Sequence, residues 1–93
     1  MIISFRCDET EKIFHGEVSR FLPYEMQEAA RRKLKMLHRV EYLEELRQLP
    51  GNHLEALHGN RKGWHSIRIN RRWRVCFIWK TGNAEHVEIV DYH

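Results

Sequence analysis

The apolar residues of this chain change their spacing at the segment 50-PGN-52. Before this segment they recur every three or four residues, which predicts helices. After it they alternate with polar residues, which predicts strands. A chain of 93 residues buries only about two-thirds of its surface, so both kinds of element must share one core. We therefore predict a single α+β domain over residues 1–93, with two or three helices packed on one face of a small, antiparallel-rich sheet.

The strongest helical pattern runs from Tyr24 to about Arg39. Its apolar residues repeat at helical spacing and are Met26, Ala30, Leu34 and Leu37. A second series continues at a spacing of three and consists of Val40, Leu43, Leu46 and Leu49. This second series predicts either a separate helix or a bent continuation of the first, and the Pro-Gly-Asn segment ends it.

Two shorter elements are predicted near the N-terminus. The apolar residues of a short first strand are Ile2, Ile3 and Phe5. A short helix from Thr10 to His15 follows, because Asp8 or Thr10 can cap its start and Gly16 can end it.

Three strands are predicted after the change of spacing, over residues 65–69, 73–79 and 86–90. The turn between the first two contains 70-NRR-72, and the turn between the last two contains Gly82 and Asn83. The order of elements is thus one strand, then helices, then three strands that form an antiparallel meander.

The register of the first hairpin follows from burial. If Ile67 and Val75 share the buried face, they lie opposite each other in the ladder. Arg68 then lies opposite Arg74 on the other face. Two like charges at paired positions are destabilising unless both reach water or share an anion. The register therefore indicates either a solvated pair of arginines or a phosphate site.

Positive charge is concentrated in residues 59–80, which contain seven of the sixteen Lys and Arg and none of the thirteen acidic residues. A surface hairpin kept soluble by arginines is the plain interpretation. The alternative is a nucleic-acid surface, because Lys and Arg supply affinity for a phosphate backbone. In that interpretation the backbone contacts are Arg61, Lys62, Arg71 and Arg72. Trp64 and Trp73 could stack on bases, although core packing is the more common role of a tryptophan.

The seven histidines and two cysteines do not have the spacing of a metal site. We therefore predict neither a metal nor another cofactor. Cys7 and Cys76 are expected to be buried thiols of a cytoplasmic protein, since the apolar N-terminal run is too short for a signal peptide. Three histidines flank or enter the basic strands and are His53, His58 and His65. A positive field lowers the pKa of a histidine and keeps it neutral, which is the form that a general base requires.

The segment 91-DYH-93 directly follows the last predicted strand. Together with arginines, Asp91, Tyr92 and His93 would suffice to cleave RNA without a metal ion. A base takes the proton of the 2′-hydroxyl, arginines neutralise the pentacoordinate phosphate, and an acid protonates the departing 5′-oxygen.

Two segments, 57-LHGNRKGWHSIRINRRWRVCFIW-79 and 86-HVEIVDYH-93, resemble the HigB toxins of type II toxin–antitoxin modules, within the RelE-like superfamily of mRNA interferases. The resemblance extends over nearly the whole chain. It implies the same small α+β fold and an endoribonuclease that cleaves mRNA in the ribosomal A site, with 2′-hydroxyl attack and a 2′,3′-cyclic phosphate product. It also implies inhibition by a HigA-type helix-turn-helix antitoxin, whose complex with the toxin represses its own operon; operator DNA is then contacted only through the antitoxin complex.

The resemblance also assigns roles to residues. Asp91, Tyr92 and His93 match the functional tail of the family, and Arg74 matches its phosphate-stabilising arginine. Arg68 is a weaker candidate for a phosphate contact.

Two positions depart from the pattern of the family. Glu55 stands where the pattern has a catalytic histidine, and His58 stands where it has a lysine. His93 is therefore the first candidate for the general base, with Glu55 and His58 behind it.

These departures leave a second interpretation open, in which a catalytically weakened protein acts mainly as an RNA-binding, antitoxin-binding and repressor subunit. A single-strand nucleic-acid binder that acts away from the ribosome is a third. The sequence also does not decide whether an antitoxin covers the basic hairpin or docks on the helices of residues 24–49.

Overall fold

The computed structural model describes residues 1–91 and has three helices and four strands. The helices are α1 (Asp8–Phe14), α2 (Tyr24–Arg39) and α3 (Leu43–Arg47). The strands are β1 (Glu55–Ala56), β2 (Trp64–Arg68), β3 (Trp73–Lys80) and β4 (Asn83–Asp91). Two short 3₁₀ turns, Pro50–Asn52 and Gly59–Arg61, flank β1. The predicted α+β class is confirmed.

The four strands form one antiparallel sheet in the order β1-β2-β3-β4. Ile67 pairs with Val75 and Arg68 pairs with Arg74, so the predicted register of the first hairpin is confirmed. β1 has no counterpart among the predicted strands. Its two residues are too few to show any alternation of apolar and polar side chains.

One face of the sheet packs against the helices and forms the core. The core side chains of the sheet include Ile67, Val75, Phe77, Val87 and Ile89. Those of the helices are Ile13, Met26, Ala30, Leu34, Leu37 and Leu46. The predicted apolar series of residues 24–39 is therefore confirmed as the buried face of α2. We call the opposite face of the sheet the outer face.

The N-terminal segment lies along β4 in the parallel sense, through the bridges Ile2–Ala84 and Phe5–Val87. The prediction of a short first strand was wrong in this respect, because the segment forms isolated bridges. His86 has φ +53°, and its N–H donates to the Ser4 hydroxyl at 2.8 Å instead of to a backbone carbonyl. This irregularity divides the pairing into two separate bridges.

The start of α1 differs from its prediction, because neither Asp8 nor Thr10 caps the helix. Cys7 occupies the cap position and makes no side-chain cap hydrogen bond. The fully buried Thr10 hydroxyl instead accepts a hydrogen bond from the Ile89 N–H at 3.0 Å. A contact between α1 and the edge of β4 thus replaces the local cap.

Of the apolar series after residue 39, Leu43 and Leu46 lie in a separate short helix, α3. Among the four residues of that series only Leu46 is fully buried. The Pro-Gly-Asn segment has a structural role beyond ending it. Asn52 is fully buried, donates to the Leu46 carbonyl at 2.9 Å and accepts from Lys33 Nζ at 2.6 Å. These hydrogen bonds tie the start of β1 to α2 and α3.

Within residues 1–91 we find no helix that is long and apolar enough to span a bilayer.

We predict that Thr10→Val lowers the free energy of unfolding by about 1–3 kcal/mol, because the Ile89 N–H would stay buried without its acceptor. Thr10→Ser is the matched control, since it keeps the hydroxyl and loses only a methyl group, at a cost of about 0.8 kcal/mol. Urea unfolding followed by circular dichroism measures both. An equal loss in the two variants would show that packing, and not the hydrogen bond, holds α1 on β4.

Candidate active site

Arg74 is a buried cation on the outer face of the sheet, with only 6% of its surface exposed. Its Nε donates to the Ser66 hydroxyl at 2.8 Å, and its Nη2 donates to the carbonyls of Ser66 and His53. Its Nη1 lies 3.8 Å from Glu55 Oε1. A buried charge is tolerated only where such partners compensate its lost hydration. The guanidinium is thus fixed in position by three neighbouring residues.

Arg68 lies beside Arg74 across the ladder and is only half-buried. Its Nε donates to the Asn70 carbonyl at 3.0 Å, and its Nη1 lies 3.5 Å from His53 Nε2. No carboxylate pairs with Arg68 within residues 1–91. The two like charges therefore share one surface, as the register predicted, and backbone carbonyls reduce their repulsion.

The two arginines border a depression of about 340 Å³, which we call the Arg74 pocket. Its lining residues are His53, Glu55, Arg68, Asn70, Arg71 and Arg74. A second depression of about 370 Å³, which we call the His58 pocket, lies on the same face. Its lining residues are Leu57, His58, Arg61, Cys76, Val90 and Asp91. The structure therefore places the candidate bases Glu55 and His58 in different pockets.

The strand β1 brings Glu55 to Arg74. In the register Glu55 pairs with Ser66, which is the residue that binds the Arg74 guanidinium. His53, just before β1, adopts the left-handed conformation with φ +42° and points its carbonyl at Arg74. Neither Ser66 nor the His53 carbonyl was predicted to have a role in the site. A backbone carbonyl carries no side-chain signal, and the missed strand β1 is what brings these groups together.

Arg72 binds Asp91 instead of lying free on the surface. Its Nε and Nη2 donate to Asp91 Oδ2 at 2.9 and 2.7 Å, and this hydrogen bond raises the pKa of Arg72. The contact joins the turn between β2 and β3 to the end of β4. Asp91 is thereby held by a residue that we predicted to contact RNA. The predicted site residues Tyr92 and His93 lie outside the described residues.

Trp73 and His65 belong to the helix-facing side of the sheet. Trp73 packs against the core, and the Arg72 guanidinium lies 5.3 Å from its ring centroid. His65 stacks on Phe77 with the ring centroids 6.1 Å apart. Burial, with a smaller contribution from the charge of Arg47, lowers the pKa of His65. Neither ring lies in the Arg74 pocket, so both fit the structural role better than a role in chemistry.

The other basic residues that we predicted to contact RNA differ in their exposure and in their neighbours. Arg71 is exposed beside the Arg74 pocket and Lys62 is exposed after the Gly59–Arg61 turn, whereas Arg61 lies over Trp64.

Both cysteines are free thiols, but the expectation that both are buried was half wrong. Cys76 is buried beneath the His58 pocket, and this burial raises its pKa, while Cys7 is only half-buried at the start of α1. Among residues 1–91 no group of three or more His, Cys, Asp or Glu side chains could hold a metal ion.

The Arg74 pocket combines a fixed positive charge, a second arginine at the surface and a carboxylate with 46% of its side chain exposed. Paired guanidiniums match the geometry of a phosphate group. The carboxylate of Glu55 can accept a proton beside that phosphate. The arrangement is therefore suited to binding a phosphodiester and removing a proton next to it.

A family model and several known proteins are similar to this chain over most of its length. The family model described as the RelE-like toxin of the type II toxin–antitoxin system HigB matches residues 3–93. The chain is 36% identical over 85 residues to "Toxin HigB-1" of Vibrio cholerae, covering 90% of each chain. It is 29% identical over 94 aligned positions to "Endoribonuclease HigB" of Proteus vulgaris, covering all of both chains. It is also 33% identical over 82 residues to an uncharacterised protein of Haemophilus influenzae, covering 87% of this chain and 79% of the relative.

We predict that Arg72→Ala loosens the end of β4, because Asp91 loses both of its hydrogen bonds to that guanidinium. Amide hydrogen exchange should become faster at the C-terminal end of β4 and at the β2–β3 turn. Global stability should change little, since the pair is exposed to solvent. Arg71→Ala, which removes the same charge from the neighbouring position, is the control. Equal exchange in both variants would contradict an anchoring role for Arg72.

Proposed function

Since this chain belongs to the RelE-like HigB toxins of type II toxin–antitoxin systems, we propose that it is an endoribonuclease that cleaves mRNA in the ribosomal A site. The observation that carries the proposal is the fixed guanidinium of Arg74 beside the Glu55 carboxylate. The printed name of the Proteus vulgaris relative supports the same reaction class. The exposed basic residues Arg71 and Lys62 would then contact messenger or ribosomal RNA.

The proposed reaction uses the chain's own side chains. The scissile phosphate lies against Arg68 and Arg74, whose charges stabilise the additional negative charge of the pentacoordinate transition state. A base removes the proton of the 2′-hydroxyl, and the 2′-oxygen attacks phosphorus. The bond to the 5′-oxygen breaks, and an acid protonates that oxygen. The products are a 2′,3′-cyclic phosphate and a free 5′-hydroxyl.

Three residues compete for the role of the base. Glu55 is favoured over His58 because it lies in the same pocket as both arginines, whereas His58 lies in the neighbouring one. His93 is the other candidate, on the strength of the family resemblance, with Asp91 and Tyr92 orienting the nucleotide beside it. We propose that Asp91 acts chiefly by holding the end of β4 in place through Arg72.

Membership of the family implies an antitoxin partner. We propose that this partner is a HigA-type helix-turn-helix protein, and that the toxin contacts operator DNA only through the complex. The ribosome is the second proposed partner, which places the toxin in the cytoplasm. The two docking modes, over the basic hairpin or on the helices, remain alternatives that a structure of the complex would separate.

A weakened enzyme is the second candidate function, and one observation favours it. Glu55 and His58 replace the histidine and lysine of the family pattern, and a carboxylate beside Arg74 reduces the net positive charge of the pocket. Such a protein would bind RNA and antitoxin, repress its operon and cut slowly. Expression without the antitoxin discriminates between the two candidates, because only an active nuclease arrests growth.

We predict that Arg74→Ala abolishes growth arrest and lowers the rate of ribosome-dependent cleavage by about 10²- to 10³-fold, through loss of transition-state stabilisation. Arg74→Lys should retain part of the rate, because it keeps the charge and loses the planar array of donors. Arg39→Ala, on the helical side, is the control. Circular dichroism confirms that each variant folds. An Arg74→Ala variant that folds and cuts at the wild-type rate would remove Arg74 from the mechanism.

We predict that Glu55→Gln lowers the rate of ribosome-dependent cleavage, because the amide cannot accept the proton of the 2′-hydroxyl. Single-turnover cleavage of a short mRNA on ribosomes, with and without EDTA, measures the rate for Glu55→Gln, His58→Ala and deletion of His93. If deletion of His93 alone collapses the rate while Glu55→Gln cuts normally, the tail supplies the base. If the wild type leaves the mRNA intact on ribosomes that a related toxin cuts, the enzyme proposal is wrong.

A further inference from the structure

A second group of cations lies on the outer face, away from the Arg74 pocket. Trp64, at the start of β2, pairs with Ile78, whereas Arg68, at its end, pairs with Arg74. Four residues of extended strand separate the two positions, or about 13 Å. The group around Trp64 is therefore on the same surface as the proposed reaction centre but too far from it to bind the same phosphate.

Two arginines from distant parts of the sequence converge on Trp64. Arg61, from the turn before β2, has its Cζ 4.9 Å from the ring centroid. Arg6, from the N-terminal segment beside β4, has its Cζ 5.5 Å from the same centroid. Cation–π contacts of this kind restrict where a guanidinium can lie. The indole thus holds two positive charges close together on the outer face.

Both guanidiniums face one carboxylate oxygen without forming a hydrogen bond to it. Arg6 Nη1 and Arg61 Nη2 each lie 3.9 Å from Glu88 Oε1. This distance exceeds that of a hydrogen bond, and within residues 1–91 neither guanidinium donates to another acceptor. The two nitrogens are at most twice that distance apart. A phosphate group can bridge such a gap, because charge-assisted N–H···O contacts are about 2.7–2.9 Å long.

The charges and exposures favour an anion over a purely structural contact. Two guanidiniums and one carboxylate leave the group with a net positive charge. The side chains of Arg6 and Arg61 are 51% and 40% exposed, whereas that of Glu88 is 19% exposed. The cations therefore face solvent while the carboxylate lies beneath them. Arg61 also lines the His58 pocket, so the group is continuous with the surface that leads to Glu55 and Arg74.

We propose that Arg6 and Arg61, held by Trp64 and Glu88, form a second RNA phosphate site on the same surface as the proposed reaction centre. This inference rests on the proposed function in assigning RNA as the ligand. Glu88 weakens the site by partly neutralising it, so that affinity for RNA remains moderate. The phosphate could belong to the messenger or to ribosomal RNA, since both present the same group.

The test uses binding, so it does not depend on cleavage. A short fluorescent RNA with 2′-O-methyl groups throughout cannot undergo 2′-hydroxyl attack, and its anisotropy reports binding at several salt concentrations. The variant Arg6→Gln/Arg61→Gln should bind about tenfold more weakly, and the slope of log K against log salt should fall by about 0.7, as expected for one lost phosphate contact. The control Arg32→Gln/Arg39→Gln removes the same charge from exposed positions on α2.

The variant Glu88→Gln separates a phosphate site from a purely structural contact by the direction in which RNA affinity changes. If the site binds phosphate, removing the carboxylate should tighten RNA binding several-fold, opposite to the effect of the arginine variants. If the group only holds the N-terminal segment against the sheet, Glu88→Gln should weaken RNA binding, as the arginine variants do. Thermal unfolding of each variant shows whether folding is retained.

A second arm identifies the source of the phosphate. Sedimentation with ribosomes that carry no mRNA measures contact with ribosomal RNA. If the arginine variant weakens binding to the free RNA and Glu88→Gln tightens it, the site is assigned to the messenger. If these opposite effects are seen only with empty ribosomes, the site is assigned to ribosomal RNA. The proposal is overturned if the arginine variant behaves like the α2 control in both arms, or if Glu88→Gln weakens binding. Failure of the wild type to cleave mRNA would refute the nuclease proposal and leave this test unaffected.

Discussion

Burial of the positive charge of Arg74 organises the outer face of the sheet. A guanidinium removed from water costs several kcal/mol unless hydrogen bonds and opposite charge compensate it. Here the compensation comes from Ser66 on the neighbouring strand, from the His53 carbonyl and from Glu55 on β1. The two-residue strand β1 and the left-handed backbone of His53 both contribute to this compensation. They bring an acceptor and a carboxylate to a charge that the sheet has buried.

The same requirement distributes roles across the outer face. The side chain of Arg74 is buried and fixed in position, while that of Arg68 beside it is more exposed to solvent. Arg72, although equally basic, is committed to Asp91 and joins the end of β4 to a turn. Positive charges that look equivalent in the sequence thus differ in the structure. One is buried and oriented, one faces a pocket, and one holds a chain segment in place.

Several features of the fold could be predicted because they depend on local spacing. The apolar residues of α2 repeat over about three turns, and the alternation in β2 and β3 is long enough to give both the strands and their register. The predicted juxtaposition of Arg68 and Arg74 followed from that register. The cap of α1 could not be predicted, because the Thr10 hydroxyl has a partner on β4 that is distant in sequence. The shortness of β1 and the irregularity at His86 likewise left no repeating pattern to detect.

The sequence by itself determined the α+β class, the helical and alternating segments, the basic hairpin and the family resemblance, since each of these is carried by residue type and spacing along the chain. Apart from the pair Arg68 and Arg74, which the register predicted, only the tertiary structure decided which charges meet. It paired Glu55 with Arg74, separated Glu55 from His58, bound Arg72 to Asp91 and gathered Arg6 with Arg61 on Trp64. These contacts join segments far apart in sequence, and their geometry depends on how the chain packs, which no local pattern encodes.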